Sequence, residues 1–335
     1  MAAMQLVLQV VTGYMASAVL HPILKLGVPD LLAKGPRTVA ELAQATGAHE
    51  DTLYRVMRTL SGVGLFEEAA PHRFALTAAG AFLRSDVPGS VRDLAVFICD
   101  PFHFRMYAEM MHSVMTGKSA AEKFLGMPMF EYLPRDPELS ESFNRAMTGF
   151  SAAVIPAVLK TFDFSGIDVL VDVAGGHGEV LGSILKQHPQ MRGVLFDLDH
   201  VIAGAVPHLQ QMGVKARCDA VAGNFFTSVP AGGDAYIMKH IIHDWDDDRA
   251  SALLGNIRRA LDGKPNGRVL LIEAVIQPGN EPDVMKMIDM EMLAAPGGRE
   301  RTVDEFKALF ARSGFELTRI VPNESPLALI EARVR

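Results

Sequence analysis

VLVDVAGGHGEVLGSIL, residues 169–185, decides the fold class. It opens as an apolar, mostly β-branched run, Val169 to Val173, carrying one acid, Asp172. Gly175, Gly176 and Gly178 break that run, and Val180, Leu181, Ile184 and Leu185 then recur at helical spacing. A buried strand that feeds a glycine turn and then a helix leaves free backbone N–H groups and the positive end of a helix at the strand tip. The next strand-like run, GVLFDLD, puts Asp197 about 20 residues further on, where an acid can bind a ribose diol. The expected ligand carries a nucleoside.

Outward from this unit, strands and helices alternate from about residue 160 to the C-terminus, the pattern of a parallel sheet with helices on both faces. The expected strands are Val169–Val173, Gly193–Asp197, Ala216–Val221, Ala235–Lys239 and Arg268–Val275, with Phe315–Val321 and Leu327–Ala332 closing as a hairpin. The reading is α/β: a doubly wound, Rossmann-like domain over 161–335. Residues 1–160 are mainly helical, with one winged-helix-like segment. There Thr38 and Glu41 suggest a capping box for a helix ending at Gly47, and a second helix runs from about Glu50 to Leu60. LFEEAAPHRFALT, residues 65–77, reads as two strands around a turn at Pro71. The N-terminal domain is expected to dimerise and to form a lid for the substrate.

Composition narrows the partners. The 335 residues are 49% hydrophobic and 21% charged, an ordinary globular balance. A net charge of −7 argues against a nucleic-acid partner, and it counts against Arg55, Arg58 and Arg73 reading DNA. Two cysteines, Cys99 and Cys218, exclude a disulfide framework and fit a reducing cytoplasm. The apolar run Met4–Leu24 lacks a basic leader, and Gly13, Tyr14, Ser17, His21 and Pro22 interrupt it, which weakens a membrane span. It reads either as a face that meets another subunit or as a helix packed within its own domain.

The glycine spacing separates two nucleoside cofactors. A dinucleotide loop wants G-x-G-x-x-G, but after Gly176 and Gly178 the third glycine, Gly182, arrives one residue late. The spacing of Asp172, Ala174, Gly176 and Gly178 resembles instead the loop of class I S-adenosylmethionine-dependent methyltransferases. The third strand ends in GNFF. Asn224 there offers donor and acceptor to an adenine edge, or serves as a turn residue beside Gly223. The expected cofactor residues are Asp172, Gly175, Gly176, Asp197, Asn224, Phe225 and Lys239.

The fourth strand runs into MKHIIHDWDDDRA, residues 238–250, so His243 falls at the same sheet edge as the glycine loop. A neutral imidazole there can take a proton from a substrate hydroxyl; otherwise it is a satisfied turn histidine. Transfer from a phenol (pKa about 10) to histidine (about 6.5) is uphill by about 3.5 units, or about 5 kcal/mol, which a carboxylate on the second ring nitrogen can partly offset. Two acids are candidates. Glu273 sits inside the apolar strand RVLLIEAVI, where a charge needs a partner. Glu300 precedes a helix that Thr302 and Glu305 cap, and a solvated loop acid is its alternative reading. Asp246 to Asp248 read as helix N-terminal acids.

With these residues in hand, the chain resembles the plant caffeate-type and bacterial small-molecule O-methyltransferases over nearly its whole length. DVAGGHG, FDLDHVI, GNFFTSVP, HIIHDWDDD, LLIEAVI and PGGRERT carry the likeness, in that order. It implies that His243 is the general base, flanked by Glu273 and Glu300, that Asp197 holds the ribose, and that Lys239 lies near the cofactor. It also implies a homodimer with an entwined N-terminal domain. Ala174, Asp199 and Asn224 depart from a common glycine, proline and aspartate.

PFHFRMYAEMMHSVM and FLGMPMF, residues 101–115 and 124–130, are rich in methionine and phenylalanine, which suits a flat apolar acceptor. Phe130, Met147, Asp244, Met287 and Met290 are the expected acceptor residues, although a methionine stripe is also ordinary core. No metal ligands are expected. The expected reaction is metal-independent methyl transfer to an aromatic hydroxyl. Its rivals are a decarboxylation or hydroxylation on the same fold and cofactor, a ligand-sensing winged-helix regulator, and a metal-dependent transferase using Asp244 to Asp248.

Overall fold

The computed structural model describes residues 2–335 and divides into two compact units. The first comprises the chain up to Ala108 together with Glu131–Ala153; the second comprises Glu109–Phe130 and Val154–Arg335. Residues 109–130 therefore group with the C-terminal sheet, and no single division falls near residue 160.

In the first unit the apolar start is one continuous helix, Ala2–Lys25, in which neither Gly13 nor Pro22 makes a break. Pro22 lies in the last turn, where its missing N–H costs one bond and its carbonyl still accepts from Leu26 at 2.9 Å. By length and composition Ala3–Lys25 could cross a membrane, with a mean hydropathy of 1.5. Met4, Leu6, Val7, Val10, Val11 and Tyr14 are exposed along it.

The winged-helix-like segment follows. The short strand β1 (Arg37–Thr38) ends at Thr38, whose hydroxyl accepts from Glu41 N–H while Glu41 returns a carboxylate to Thr38 N–H. That box starts the helix Val39–Thr46, and Gly47 closes it at φ 72°. The helix Glu50–Gly62 and strands β2 (Phe66–Ala70) and β3 (Arg73–Leu76) complete the motif, with sheet order β1-β3-β2. Leu42, Met57, Leu60, Phe66 and Phe74 form its core. Arg58 stacks over Tyr54 and Arg73 donates to the Pro36 carbonyl, so two of the three arginines considered for DNA are engaged within the unit.

The second unit is built on seven strands: β4 (Val169–Val173), β5 (Arg192–Asp197), β6 (Cys218–Ala222), β7 (Ala235–Lys239), β8 (Arg268–Glu273), β9 (Phe315–Val321) and β10 (Ala328–Val334). Their order is β6-β5-β4-β7-β8-β10-β9. β4 to β8 are mutually parallel, and β10 runs antiparallel to β8 and β9. This is the Rossmann-like sheet with its closing hairpin. Val171, Val173, Tyr236, Met238, Leu253, Leu254, Val269 and Leu271 are buried together between strands and helices.

Several strand ends differ from expectation by one or two residues, and two of them have a visible local reason. β6 starts at Cys218 because Lys215–Arg217 form a 3-10 turn, from which the Arg217 guanidinium donates to the carbonyls of Leu185, His188 and Met191. β8 stops at Glu273, after which Val275 bridges to Arg301.

Chain order reverses between β4 and β7, which makes a crevice at their carboxyl ends. The residue leaving each of these strands, Ala174 and His240, has a left-handed backbone, with φ 56° and 55°. Such angles are uncommon outside glycine and concentrate where a chain must turn sharply at a site. Both crevice walls bend away from the sheet at that point.

Candidate functional site

On the β4 side, Asp172 is 1% exposed, and burial, reinforced by Asp197, pushes its carboxyl up to about 7. Its Oδ2 is buried without a hydrogen-bond partner. A Cβ on Gly175 would lie 2.5 Å from that carboxyl, so only glycine lets the backbone pass over it. Gly176 and Gly178 continue the turn at φ 59° and 85°, and Gly178 starts the helix Glu179–Gln187. At the end of β5, Asp197 accepts from Gly176 N–H at 2.8 Å and from Leu198 N–H at 2.7 Å. Burial raises its pKa against the pull of those two bonds. An acid fixed by the loop itself, an orphaned buried oxygen and a bare glycine backbone together suit a ligand with a ribose and a positive charge.

Past β6, the Asn224 side-chain oxygen accepts from Phe226 N–H at 2.9 Å, so it caps its own turn and leaves its amide N–H groups for other partners. Phe225 packs 6.0 Å from Trp245, and Phe130 packs 6.1 Å from the same indole. Arg249 lies over both Trp245 and Phe226. Trp245 thus joins the loop after β6 to the segment that ends at Phe130.

On the β7 side, the chain makes a 3-10 turn, Ile242–Asp244, that presents His243. Its Nδ1 is 2.7 Å from Glu300 Oε1 and 3.7 Å from Glu273 Oε2, and its Nε2 is 3.5 Å from Asp244 Oδ1. Burial alone would lower this histidine, but Glu273, Asp244 and Glu300 outweigh it and raise it to about 9. Glu273, fully buried, accepts from the N–H groups of Ile241 (3.0 Å) and Ile242 (2.9 Å). Burial raises Glu273 too, and it carries Asp244 up to about 7. At the end of β7, Lys239 is lowered by burial, with Glu273, Asp172 and Asp244 opposing. His240, His243 and Glu273 each bring a ligand atom within 4.8 Å of the others, a grouping that could hold a metal ion. In two of the three, atoms are already engaged with Glu300 or with backbone N–H groups.

This geometry matches known proteins. An O-methyltransferase domain matches residues 107–316 and an O-methyltransferase dimerisation domain residues 8–86. The chain belongs to the O-methyltransferase family. It is 42% identical to the phenazine O-methyltransferase of Lysobacter antibioticus over 98% of this chain and 95% of that one. It is 34% identical to the phenazine-1-carboxylate N-methyltransferase of Pseudomonas aeruginosa, over 96% and 94%. A crystal structure of an O-methyltransferase from neocarzinostatin biosynthesis, in complex with S-adenosylmethionine and 2-hydroxy-5-methyl naphthoic acid, superposes with a TM-score of 0.83. It is 32% identical and covers 96% of each chain. The enzyme is a methyltransferase, and S-adenosylmethionine is the family's methyl donor.

Of the residues expected from sequence, His243, Glu273, Glu300 and Asp244 form one cluster, and Asp172, Gly176 and Asp197 form the opposite wall. Met287 and Met290 are exposed, one turn apart on the helix Val284–Ala294. Met147 lies in the first unit, on the helix Pro137–Thr161. Three residues escaped sequence reasoning. Asp289, on the same helix as Met287 and Met290, accepts Glu300 N–H at 2.8 Å. Trp245 links the aromatic residues. Arg301, 1% exposed, reaches the carbonyls of Ile242 and Trp245. The PGGRERT run could have flagged Arg301, since a charge wedged between Glu300 and a helix cap is a candidate for burial.

Gly298 sets the approach of this segment to His243: a Cβ there would sit 2.0 Å from the His243 carbonyl, and Arg299 N–H donates to that oxygen at 2.8 Å. Gly298→Ala must push the two loops apart, and a displacement near 1 Å costs about 100-fold in rate. Turnover should fall by about that factor in a protein that still melts cooperatively. Full activity would mean that the loop spacing does not matter.

Proposed function

We propose that this enzyme methylates a hydroxyl of an aromatic small molecule, without a metal, using His243 as general base. The observation that carries this reading is the 2.7 Å contact between His243 Nδ1 and the buried Glu300. It leaves Nε2 as the ring nitrogen that can take a proton. A neutral phenol is a weak nucleophile and needs that help, whereas an aromatic nitrogen already carries its lone pair. The basic cluster therefore favours O-methylation, although two relatives bear N-methyltransferase names.

Asp197 would hold the ribose, with Gly175, Gly176 and Asp172 beneath the donor, Asn224 and Phe225 at its base, and Lys239 alongside. Bound there, S-adenosylmethionine supplies an activated methyl group on a positively charged sulfur. His243 would take the acceptor's proton at Nε2 as the oxygen bonds to the methyl carbon, whose bond to sulfur breaks and leaves its electron pair on the now neutral thioether. Glu300 and Glu273 orient the ring and stabilise its charged form. Phe130, Asp244, Met287 and Met290 are the proposed acceptor wall.

The raised pKa helps this chemistry. At pH 7.5 a histidine of pKa 6.5 is neutral and faces the full uphill transfer of about 3.5 units. One near 9 must first lose its proton, about 1.5 units, and then faces only about 1 unit more. The total is about 2.5 units, a saving of about 1.4 kcal/mol.

The enzyme is proposed to act as a homodimer, which would cover the exposed apolar residues of Ala2–Lys25 that fall largely within the matched dimerisation domain. The same reading makes a nucleic-acid or membrane partner unnecessary, and a cytoplasmic location fits the two free, buried cysteines. Tailoring of a secondary metabolite fits the company the chain keeps.

Mass spectrometry of products from a panel of phenols with labelled donor, run with and without EDTA, tests the reaction. His243→Ala should cut turnover by about 100- to 10,000-fold with donor affinity unchanged, and EDTA should have no effect. A methylated nitrogen, a loss of activity with EDTA, or equal turnover in the variant would each defeat part of the proposal.

The base is the unprotonated form, so kcat/KM should climb about tenfold per pH unit below 9 and level off near that value. A profile flat from pH 6.5 to 9 would show that no such group is needed. Asp197→Ala should weaken donor binding measured by calorimetry by at least about tenfold, the loss of one charge-assisted hydrogen bond. An unchanged Kd would remove Asp197 from the ribose site.

A further inference from the structure

We infer that Arg301 is a positioning residue for the base, holding the turn that carries His243 from its carbonyl side. The turn's own backbone bonds are long, Asp244 N–H to Ile241 O at 3.2 Å and Trp245 N–H to Ile242 O at 3.3 Å, since Ile242–Asp244 is one 3-10 step between a strand and a helix. Its N–H side is taken by Glu273, which accepts from Ile241 and Ile242. Its carbonyl side is taken by the segment 299–301. Arg301 Nη1 donates to Ile242 O at 3.0 Å, Arg299 N–H to His243 O at 2.8 Å, and Arg301 Nη2 to Trp245 O at 2.9 Å. Arg301 Nε and Nη2 also meet Asp247 Oδ1, at 3.1 and 2.8 Å, where the next helix starts.

A guanidinium suits this position because its planar fork points fixed donors at acceptors on four different residues, the Arg299 carbonyl at 3.4 Å being the fourth. Among the described residues Asp247 is its only carboxylate ion-pair partner, and that acid is partly exposed, so the buried charge is held mainly by peptide carbonyls. The neighbouring Glu300 reaches the His243 ring from the same three-residue stretch. One segment therefore fixes both the backbone beneath the imidazole and the carboxylate on its Nδ1. Backbone pairing anchors that segment in turn: Arg301 bridges Val275, and Ile276 N–H donates to Arg301 O at 3.0 Å. The turn is clasped between an acid on β8 and an arginine one residue from the catalytic glutamate.

The activity arm rests on the base assignment proposed above; the spectroscopic arm does not. Arg301→Lys keeps the charge and loses the fork. The expected result is a fall in kcat of about 10- to 100-fold, with KM for the methyl donor within about twofold. In carbon-detected NMR of histidine-labelled protein, with His243 assigned from His243→Asn, its titration midpoint should move down from about 9 towards the ordinary range as Glu300 loses its register. Asp247→Asn removes one anchor of the fork and should give a smaller change in the same direction, so a variant is at hand if Arg301→Lys does not fold. Unchanged kcat and an unmoved His243 titration in either folded variant would overturn the inference. If His243→Ala retained turnover, the base assignment would fail while the NMR shift still reported the clasp.

Discussion

The site depends on one contact, the 2.7 Å pairing of His243 Nδ1 with Glu300 in a place where neither is solvated. A buried carboxylate or imidazolium is expensive on its own, and each persists here because the other is present. Glu273 is tolerable for the same reason, with two backbone N–H groups on one oxygen and the imidazole near the other. Removing any partner would leave the rest as uncompensated charge. The surrounding loops are therefore tied down from several directions, by Gly298 at close range, Asp289 on the Glu300 backbone and Arg301 beneath the turn.

The sheet places this contact opposite a second acidic wall. Asp172 is on β4, and His243 follows β7, its neighbour across the point where strand order reverses. Ala174 and His240 turn the two chains outward in left-handed conformations, a local cost that the flanking strands over-determine. What results is a crevice with buried acids on both sides and Lys239 between them. Lys239 acts electrostatically on Asp172 and on Asp244, so the two walls share one cation.

Much of this was legible in the residues. The period change in 169–185, from apolar run to glycine turn to helix, located β4, the cofactor loop and the helix after it, because strand and helix spacing differ locally. Both capping boxes and Asp246 at the start of Asp247–Ala260 also read correctly, since each is satisfied within one turn. What failed was set at long range. The grouping of residues 109–130 depends on contacts such as the Ser119 hydroxyl with the carbonyls of Ala294 and Ala295, 175 and 176 residues away. Arg301 was overlooked for a similar reason: apart from the Arg299 carbonyl, its acceptors lie 54 to 59 residues back in the chain, and only the PGGRERT run hinted at its burial.

Charge balance links the two halves of the crevice. With every group ionised, Asp244, Glu273, Glu300 and Asp247 set four negative charges against Lys239, Arg301 and a protonated His243. Deprotonating the imidazole leaves the cluster two charges negative, and a positive group entering beside it favours that state. By linkage, a cationic ligand and the proton on His243 compete, each weakening the other's hold even without touching. The acids that raise His243 to about 9 are thus the same groups that favour a cation beside it. A cation bound there would lower that value and make the unprotonated imidazole, the form the proposed base needs, easier to reach.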